Sequence, residues 1–240
     1  MSSEGKYEID RLSHDSWGLF RIMGEFSIGF DRLGKVQTPI VTVYGSARTA
    51  IKDRYYGLAE HLGGLLAQSG FAVATGGGPG IMEAANKGAW EAGGMSIGIN
   101  IHLPVEEQPN PYQTLSLDHE NFHSRKVMLA KYSVGFVAFP GGFGTLDELS
   151  GLLTLIQTQR LHPFPIYLVG TEYWGGLEAW FRDTLSAHGA ISPDDLDLFK
   201  IVDAVDAIPE DIRRYHDASA DTAGFKKPTE VDRQKAMGNL

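Results

Sequence analysis

Two glycine clusters are the places in this chain where backbone could do chemistry: Gly76-Gly77-Gly78-Pro79-Gly80 and Pro140-Gly141-Gly142-Phe143-Gly144-Thr145. A shorter stretch, Gly45-Ser46-Ala47-Arg48, ends another β-branched run. Each stands between a run of strand type and a helical pattern. Glycine lets backbone approach a ligand closely. The helix N-termini behind such loops offer unpaired N–H groups and a partial positive charge, which suits an anion, phosphate above all. One glycine loop is equally well a tight strand-to-helix turn. Two in one sheet favour a phosphate-bearing ligand, with Ser46, Arg48, Gly77, Gly78 and Gly80 as candidate contacts from the first two loops. The first strand-to-helix turn lacks G-x-G-x-x-G, and the chain lacks G-x-x-x-x-G-K-S/T, so NAD binding and ATP hydrolysis lose ground.

Charged residues near these loops are the next candidates. Asp147 and Glu148 are expected in the first turn of the helix after the second glycine loop, and Glu83 in a comparable position after the first. Carboxylates there either complement the helix dipole, at about 0.3 to 1 kcal/mol, or face the ligand. Arg125-Lys126 fall in the helix before the fourth expected strand, either as a solvated basic pair or within reach of an anion. Asp147, Gly151, Thr154 and Thr158 share one helix face, which means close helix packing or a lined pocket. His119 and His123 could pair on a helix, but there is no HExxH and no third ligand nearby, so no metal is expected.

The elements that position these residues alternate. Strands are expected at PIVTVYGS, FAVATGGG, SIGINI, VGFVAFPGG, PIYLVG and KIVD. Helices are expected at 54–69, 79–94, 120–132, 145–159, 174–188 and 208–215, with an irregular, proline-bearing stretch at 102–118. This is the pattern of βαβ units on a parallel sheet whose strands are apolar on both faces. The fold class expected is α/β: a single Rossmann-like, doubly wound domain with a mainly parallel sheet and an N-terminal helical extension. Residues 1–38 form a polar tail to about residue 15 and an amphipathic helix over 16–34, residues 39–216 the nucleotide-binding catalytic domain, and 217–240 a polar tail.

The chain resembles the Lonely Guy (LOG) family, the cytokinin riboside 5′-monophosphate phosphoribohydrolases. The likeness rests on Gly76-Gly77-Gly78-Pro79-Gly80-Ile81-Met82-Glu83-Ala84-Ala85-Asn86, on a complete PGGxGTxxE from Pro140 to Glu148, and on Arg125-Lys126, and it runs from about Ile40 to about Val202. It implies hydrolysis of the N-glycosidic bond of an adenosine 5′-monophosphate, often bearing an N6 isoprenoid group, without metal or organic cofactor. Carried over by position, Arg125 and Glu148 are the catalytic pair. Glu83, Lys126, Gly141, Gly142, Gly144, Thr145, Asp147 and Thr154 contact the nucleotide. The helix before Ile40 and the Gly45-Ser46-Ala47-Arg48 loop resemble a longer bacterial branch in which assemblies larger than a dimer occur. The older name for such proteins, possible lysine decarboxylase, implies a pyridoxal-phosphate site that no residue pattern here supplies.

Composition bounds the alternatives. Glycine makes up 29 of 240 residues, about 12%, against a usual share of about 7%. With 21 basic and 30 acidic residues the net charge is −9, which argues against duplex DNA or an anionic membrane as partner. There is no cysteine, hence no thiolate chemistry. The polar N-terminus is no secretory signal and no apolar run would span a bilayer, so a cytoplasmic homo-oligomer, dimer or larger, is expected. Two other classes compete: a non-catalytic binder of a nucleotide or phosphate-bearing cofactor, such as the molybdenum cofactor, and a single-strand DNA-processing protein. The presence of both Arg125 and Glu148 argues against the first. The acidic charge argues against the second.

Overall fold

Seven short strands, the inner ones mainly apolar, build one sheet in the computed structural model, which describes residues 12–102 and 108–218. The strands are β1 (Ile40–Tyr44), β2 (Ala72–Thr75), β3 (Ser96–Ile101), β4 (Leu115–His119), β5 (Ser133–Ala138), β6 (Ile166–Val169) and β7 (Lys200–Val202). Their order is β4-β3-β2-β1-β5-β6-β7, and every pairing is parallel. Helices connect them: α1 (Leu12–Leu33), α2 (Arg54–Gln68), α3 (Ile81–Glu91), α4 (Phe122–Lys131), α5 (Phe143–Gln157), α6 (Thr171–Trp180) and α7 (Ile208–Ala218). α6 continues into a π-helical turn, Phe181–Ser186, and a 3-10 turn, Pro193–Leu198, precedes β7.

Successive strand residues point to opposite faces, so each strand feeds two cores. Ile166 and Leu168 join Phe136, Met128, Leu149 and Trp174 on one face. Tyr167 and Val169 join Val41, Val43, Leu62, Ile81 and Ile212 on the other. This is the expected doubly wound α/β architecture. Among the described residues no helix is long and apolar enough to cross a membrane.

Several expectations need correcting. The stretch at 102–118 is not wholly irregular, because Leu115–His119 forms the edge strand β4. Its side chains alternate between buried and more exposed, as on an edge, so it lacks the continuous apolar signature of the inner strands. The residue pair at 125–126 therefore precedes the fifth strand. α1 begins at Leu12, inside the expected tail, while residues 1–11 and 219–240 lie outside the described residues. His119 ends β4 rather than sharing a helix with His123. The helix expected over 174–188 is α6 followed by the π-helical turn.

The chain winds from β1 outward to β4, then returns to lay β5 on the other side of β1. The crevice beyond the β1 and β5 ends is thus a topological switch point, where ligands bind in open α/β sheets.

Candidate active site

All three sequence-flagged loops meet at that crevice. The backbone N–H of Ser46 donates to Pro140 O (3.0 Å), and Ile81 N–H donates to Ser46 O (3.1 Å). The loop after β1 is therefore stitched to both glycine loops. Ser46 Oγ accepts from Arg48 N at 3.0 Å, so its hydroxyl oxygen serves its own turn, and Arg48 is exposed.

The glycine loop after β2 is held by a buried polar network that sequence reasoning missed. Gly77 O accepts from Asn110 N (2.8 Å), Asn110 Nδ2 (3.0 Å) and Gln113 Nε2 (3.0 Å). Gly78 O accepts from Asn110 Nδ2 at 3.1 Å. Gly77 N–H donates to Thr75 Oγ1, whose own proton goes to Asn86 Oδ1. Because the peptide is planar and trans, turning the Gly77 carbonyl onto Asn110 sends the Gly78 N–H the opposite way. No pattern in the sequence links Thr75, Asn86, Asn110 and Gln113. The single available signal was Asn86, a polar residue on the buried face of α3.

Arg125, from α4, reaches under this loop. Its Nε donates to Ile99 O (2.8 Å) and its Nη2 to Gly76 O (3.1 Å). Two of its five N–H donors are thus fixed on backbone, which orients the guanidinium and leaves the others for further partners. Burial pulls its pKa below the usual arginine value, and Tyr44 and Glu148 oppose that.

Glu148, on α5, lines a cleft that Arg125 itself does not line. The helix starts inside the motif, with Gly142 as its N-cap, so Asp147 and Glu148 stand in the second turn and not the first. Burial raises the Glu148 carboxyl to about 7, although Lys126 and Arg125 pull it down and the Tyr44 hydroxyl, a donor, also favours the ionised form. Asp147 adds to the rise. Tyr44 closes β1, buried, with its ring stacked on Phe136 at 4.4 Å between centroids. It is a second residue that sequence reasoning missed, because a tyrosine ending a buried strand looks like core.

Lys126 bridges α4 to α5, donating to Asp147 Oδ2 (2.7 Å) and Asp147 O (2.9 Å). Gly151 makes room for it: a Cβ there would lie 2.9 Å from Lys126 Nζ. Tyr44, Lys126, Asp147, Glu148, Gly151 and Thr154 line a cleft of about 350 Å³ whose floor is apolar, from Ala130, Phe136, Leu152 and Leu155. The face that joins Asp147, Gly151 and Thr154 is thus both a close packing surface and a pocket wall, whereas Thr158 is the C-cap of α5. Thr154 Oγ1 donates to Ser150 O, and Thr145 is buried against Gly141. Glu83 does not line this cleft. It lies in the first turn of α3 and accepts from Tyr56 OH at 3.0 Å. Among the described residues no three His, Asp or Glu side chains gather as a metal site.

The model of a family described as "Possible lysine decarboxylase" matches residues 82–212, more than half of the chain. A cytokinin riboside 5′-monophosphate phosphoribohydrolase of Arabidopsis thaliana, LOG3, is 30% identical over 159 residues, 64% of this chain and 72% of that protein. The chain belongs to the Lonely Guy (LOG) family. A rice LOG relative (Oryza sativa subsp. japonica), named "Probable cytokinin riboside 5′-monophosphate phosphoribohydrolase LOGL5", is 32% identical over 160 residues, 64% of this chain. The match spans 63% of that relative's own length. Among solved structures, the molybdenum cofactor carrier protein of Chlamydomonas reinhardtii has the same fold, with a TM-score of 0.55 and 26% identity over 75% of this chain and 98% of that one. The decarboxylase description finds no support in the residues that line this cleft. Pyridoxal chemistry needs a lysine amine able to form a Schiff base, and the cleft's one lysine, Lys126, is ion-paired to Asp147.

Proposed function

We propose that this chain hydrolyses the N-glycosidic bond of adenosine 5′-monophosphate, or of an N6-modified form, to the free base and ribose 5-phosphate. The observation that carries the proposal is Glu148: a carboxyl raised by burial to about 7 in a cleft at the switch point, with the cations of Lys126 and Arg125 near enough to oppose that rise. The names of the LOG relatives supply the substrate class.

As the C1′–N bond breaks, its electron pair leaves with the base and the ribose gains oxocarbenium character. Ionised Glu148 stabilises that charge, or takes the proton of the water that attacks C1′. The water's hydroxyl ends on C1′ and its proton, passed through Glu148 or solvent, ends on the departing base, so the step consumes one water. Arg125, oriented by Ile99 O and Gly76 O, steadies negative charge on phosphate or leaving base. The glycine loops hold the 5′-phosphate, and this remote binding energy places the sugar at the carboxylate. Lys126, Asp147 and Thr154, which line the cleft, complete the nucleotide contacts, while Glu83, held by Tyr56, and Thr145, buried against Gly141, support the two glycine loops. The apolar outer face of α1, with Trp17, Phe20, Met23 and Ile28 all more than half exposed, supports assembly into a homodimer or larger. Light scattering measures it.

The second reading is a carrier. The fold shared with the molybdenum cofactor carrier favours it, since the same loops can hold a phosphate-bearing ligand without chemistry. Chromatography of products from adenosine 5′-monophosphate and adenosine separates the two. Base release from the monophosphate, with kcat/KM at least about 100-fold above adenosine, or about 2.7 kcal/mol, is expected. Tight binding without release would favour the carrier.

A further inference from the structure

We infer that α1, which lies outside the family-matched region, positions the helix bearing Arg125 through the carboxylate of Glu25, so that Glu25 is a positioning residue for the hydrolysis proposed above and rests on that proposal. The N-cap residue of α4, Asn121, makes no side-chain capping bond of its own. The turn leading into α4 is instead held by a carboxylate from another element. Glu25 Oε1 accepts from Glu120 N (2.9 Å) and from Asn121 Nδ2 (3.0 Å). Glu25 Oε2 accepts from Ser124 Oγ and stands 3.5 Å from His119 Nδ1.

An ionised carboxylate only accepts, and it has about four lone-pair sites. Here it faces four donor-bearing groups spread from His119 to Ser124. Ser124 is the residue before Arg125. The cluster is well shielded, with the His119 side chain 2% and the Glu25 side chain 12% exposed, and charge-assisted bonds are strong in such surroundings. Burial works against ionised Glu25, but the Ser124, Glu120 and Asn121 donors outweigh it and hold the group below the usual carboxylate range.

Further contacts seat α1 on its neighbours. Gly29 brings α1 so close to α4 that a Cβ would meet the Met128 sulfur, and Arg32 Nη1 donates to Ser116 O of β4 at 3.3 Å. Arg125 is therefore held from two sides: Glu25 grips the turn that precedes it, and Ile99 O and Gly76 O grip its guanidinium. Releasing the first grip lets α4 shift against the sheet, and a displacement of about 1 Å at a reacting group can lower rate about 100-fold.

The test uses the full chain with Glu25→Ala, Glu25→Gln, Phe26→Ala and Arg125→Ala, each assayed well below its melting temperature. The readouts are kcat, the Kd for adenosine 5′-monophosphate, and amide hydrogen exchange over residues 119–126. Glu25→Ala is expected to lower kcat at least tenfold, to move Kd less than threefold, and to speed exchange in that turn. Glu25→Gln, which keeps one acceptor, falls between it and wild type. Phe26→Ala loosens α1 elsewhere, so it lowers the melting temperature and keeps kcat within twofold. Should Glu25→Ala not fold, a loss of at least threefold in kcat for Glu25→Gln stands in for it. Wild-type kcat and exchange in the Glu25 variants, with Arg125→Ala inactive, would overturn the role of Glu25 and leave the hydrolase standing. Wild-type kcat in Arg125→Ala, or no base release from the unmodified chain, would overturn both.

Discussion

The glycine loop after β2 is built into the protein throughout, whereas the one after β5 is anchored at Pro140 and Gly141 and stands out only over Gly142-Phe143-Gly144. Gly77 and Gly80 have φ of +75° and +67°, a region side chains avoid, and a Cβ at Gly80 would come within 2.4 Å of Ser46 O. The carbonyls of Gly76, Gly77 and Gly78 are all claimed by Arg125, Asn110 and Gln113. In the other loop, Gly142 has an ordinary φ of −85°, and a Cβ at Gly142 or Gly144 would meet no described atom within 4 Å. Phe143 between them is 91% exposed. The first loop needs glycine for its own shape. The second has no such need at 142 and 144, and its small residues leave space that a ligand can take. Similar composition thus serves pre-organisation in one loop and access in the other.

The sharpest break of this comparison sets Glu148, behind the open loop, against Glu83, behind the built-in one. Glu148→Gln keeps the shape and removes the charge. It is expected to lower kcat at least 100-fold, the usual scale for losing a transition-state charge stabiliser, with the Kd for adenosine 5′-monophosphate within about threefold and the melting temperature unchanged or higher. Glu83→Gln still accepts from Tyr56 and is expected to lower kcat/KM less than tenfold. Turnover and calorimetric Kd on the same samples decide it. More than about a tenth of wild-type kcat in Glu148→Gln would remove it from the chemistry.

The glycines sharpen the same contrast. Gly80→Ala forces a side chain into a left-handed conformation against Ser46 O and is expected to destabilise the fold by about 2 kcal/mol or more. Gly144→Ala lies inside α5 with open space around it, and is expected to stabilise by about 0.5 to 1 kcal/mol while weakening nucleotide binding about tenfold. Thermal unfolding and the nucleotide Kd check both. Equal stability losses in the two variants would erase the distinction.

Which parts were legible in the sequence follows from the range of the forces involved. Inner strands such as Ile40–Tyr44 and Ile166–Val169 are continuous apolar runs, so burial alone announces them. The glycine loops and Glu148 lie in contiguous motifs. β4 was missed because an edge strand carries only half that signal, and the start of α5 was displaced because Gly142-Phe143-Gly144 read as loop. Asn110, Gln113 and Glu25 escaped because their partners are 33, 36 and about 100 positions away. A polar side chain declares such a partner only in three dimensions.

The raised carboxyl of Glu148 makes two pH predictions. Its folded value, about 7, lies above its ordinary 4.5, so between those limits the native state keeps a proton the unfolded chain has lost. Stability from this group is present below about pH 4.5 and falls as pH rises to about 7. The kinetic sign is opposite, because the ionised form does the chemistry. kcat/KM is expected to rise about tenfold per pH unit up to about 7 and then level. Denaturant melts and rate profiles from pH 5 to 9 test both, and Glu148→Gln should flatten its share of the stability slope.

The smallest expected effect belongs to Tyr44, which links the open loop's carboxylate to the end of β1. Its hydroxyl favours ionised Glu148, whereas burial holds the phenol's own pKa well above the usual value, so it stays a donor throughout the working range. Tyr44→Phe keeps the ring stacked on Phe136 and removes the donor. With burial of Glu148 then less opposed, its pKa should rise by less than about one unit, and the acid limb of kcat/KM should move to higher pH by the same amount. At pH 7 this means a rate loss of less than about tenfold, recovered largely by pH 9, which separates Tyr44→Phe from Glu148→Gln, where no pH restores turnover. An acid limb in Tyr44→Phe that coincides with wild type would show that Tyr44 packs beside Glu148 without tuning it, and would leave burial, opposed by Lys126 and Arg125, to set its ionisation.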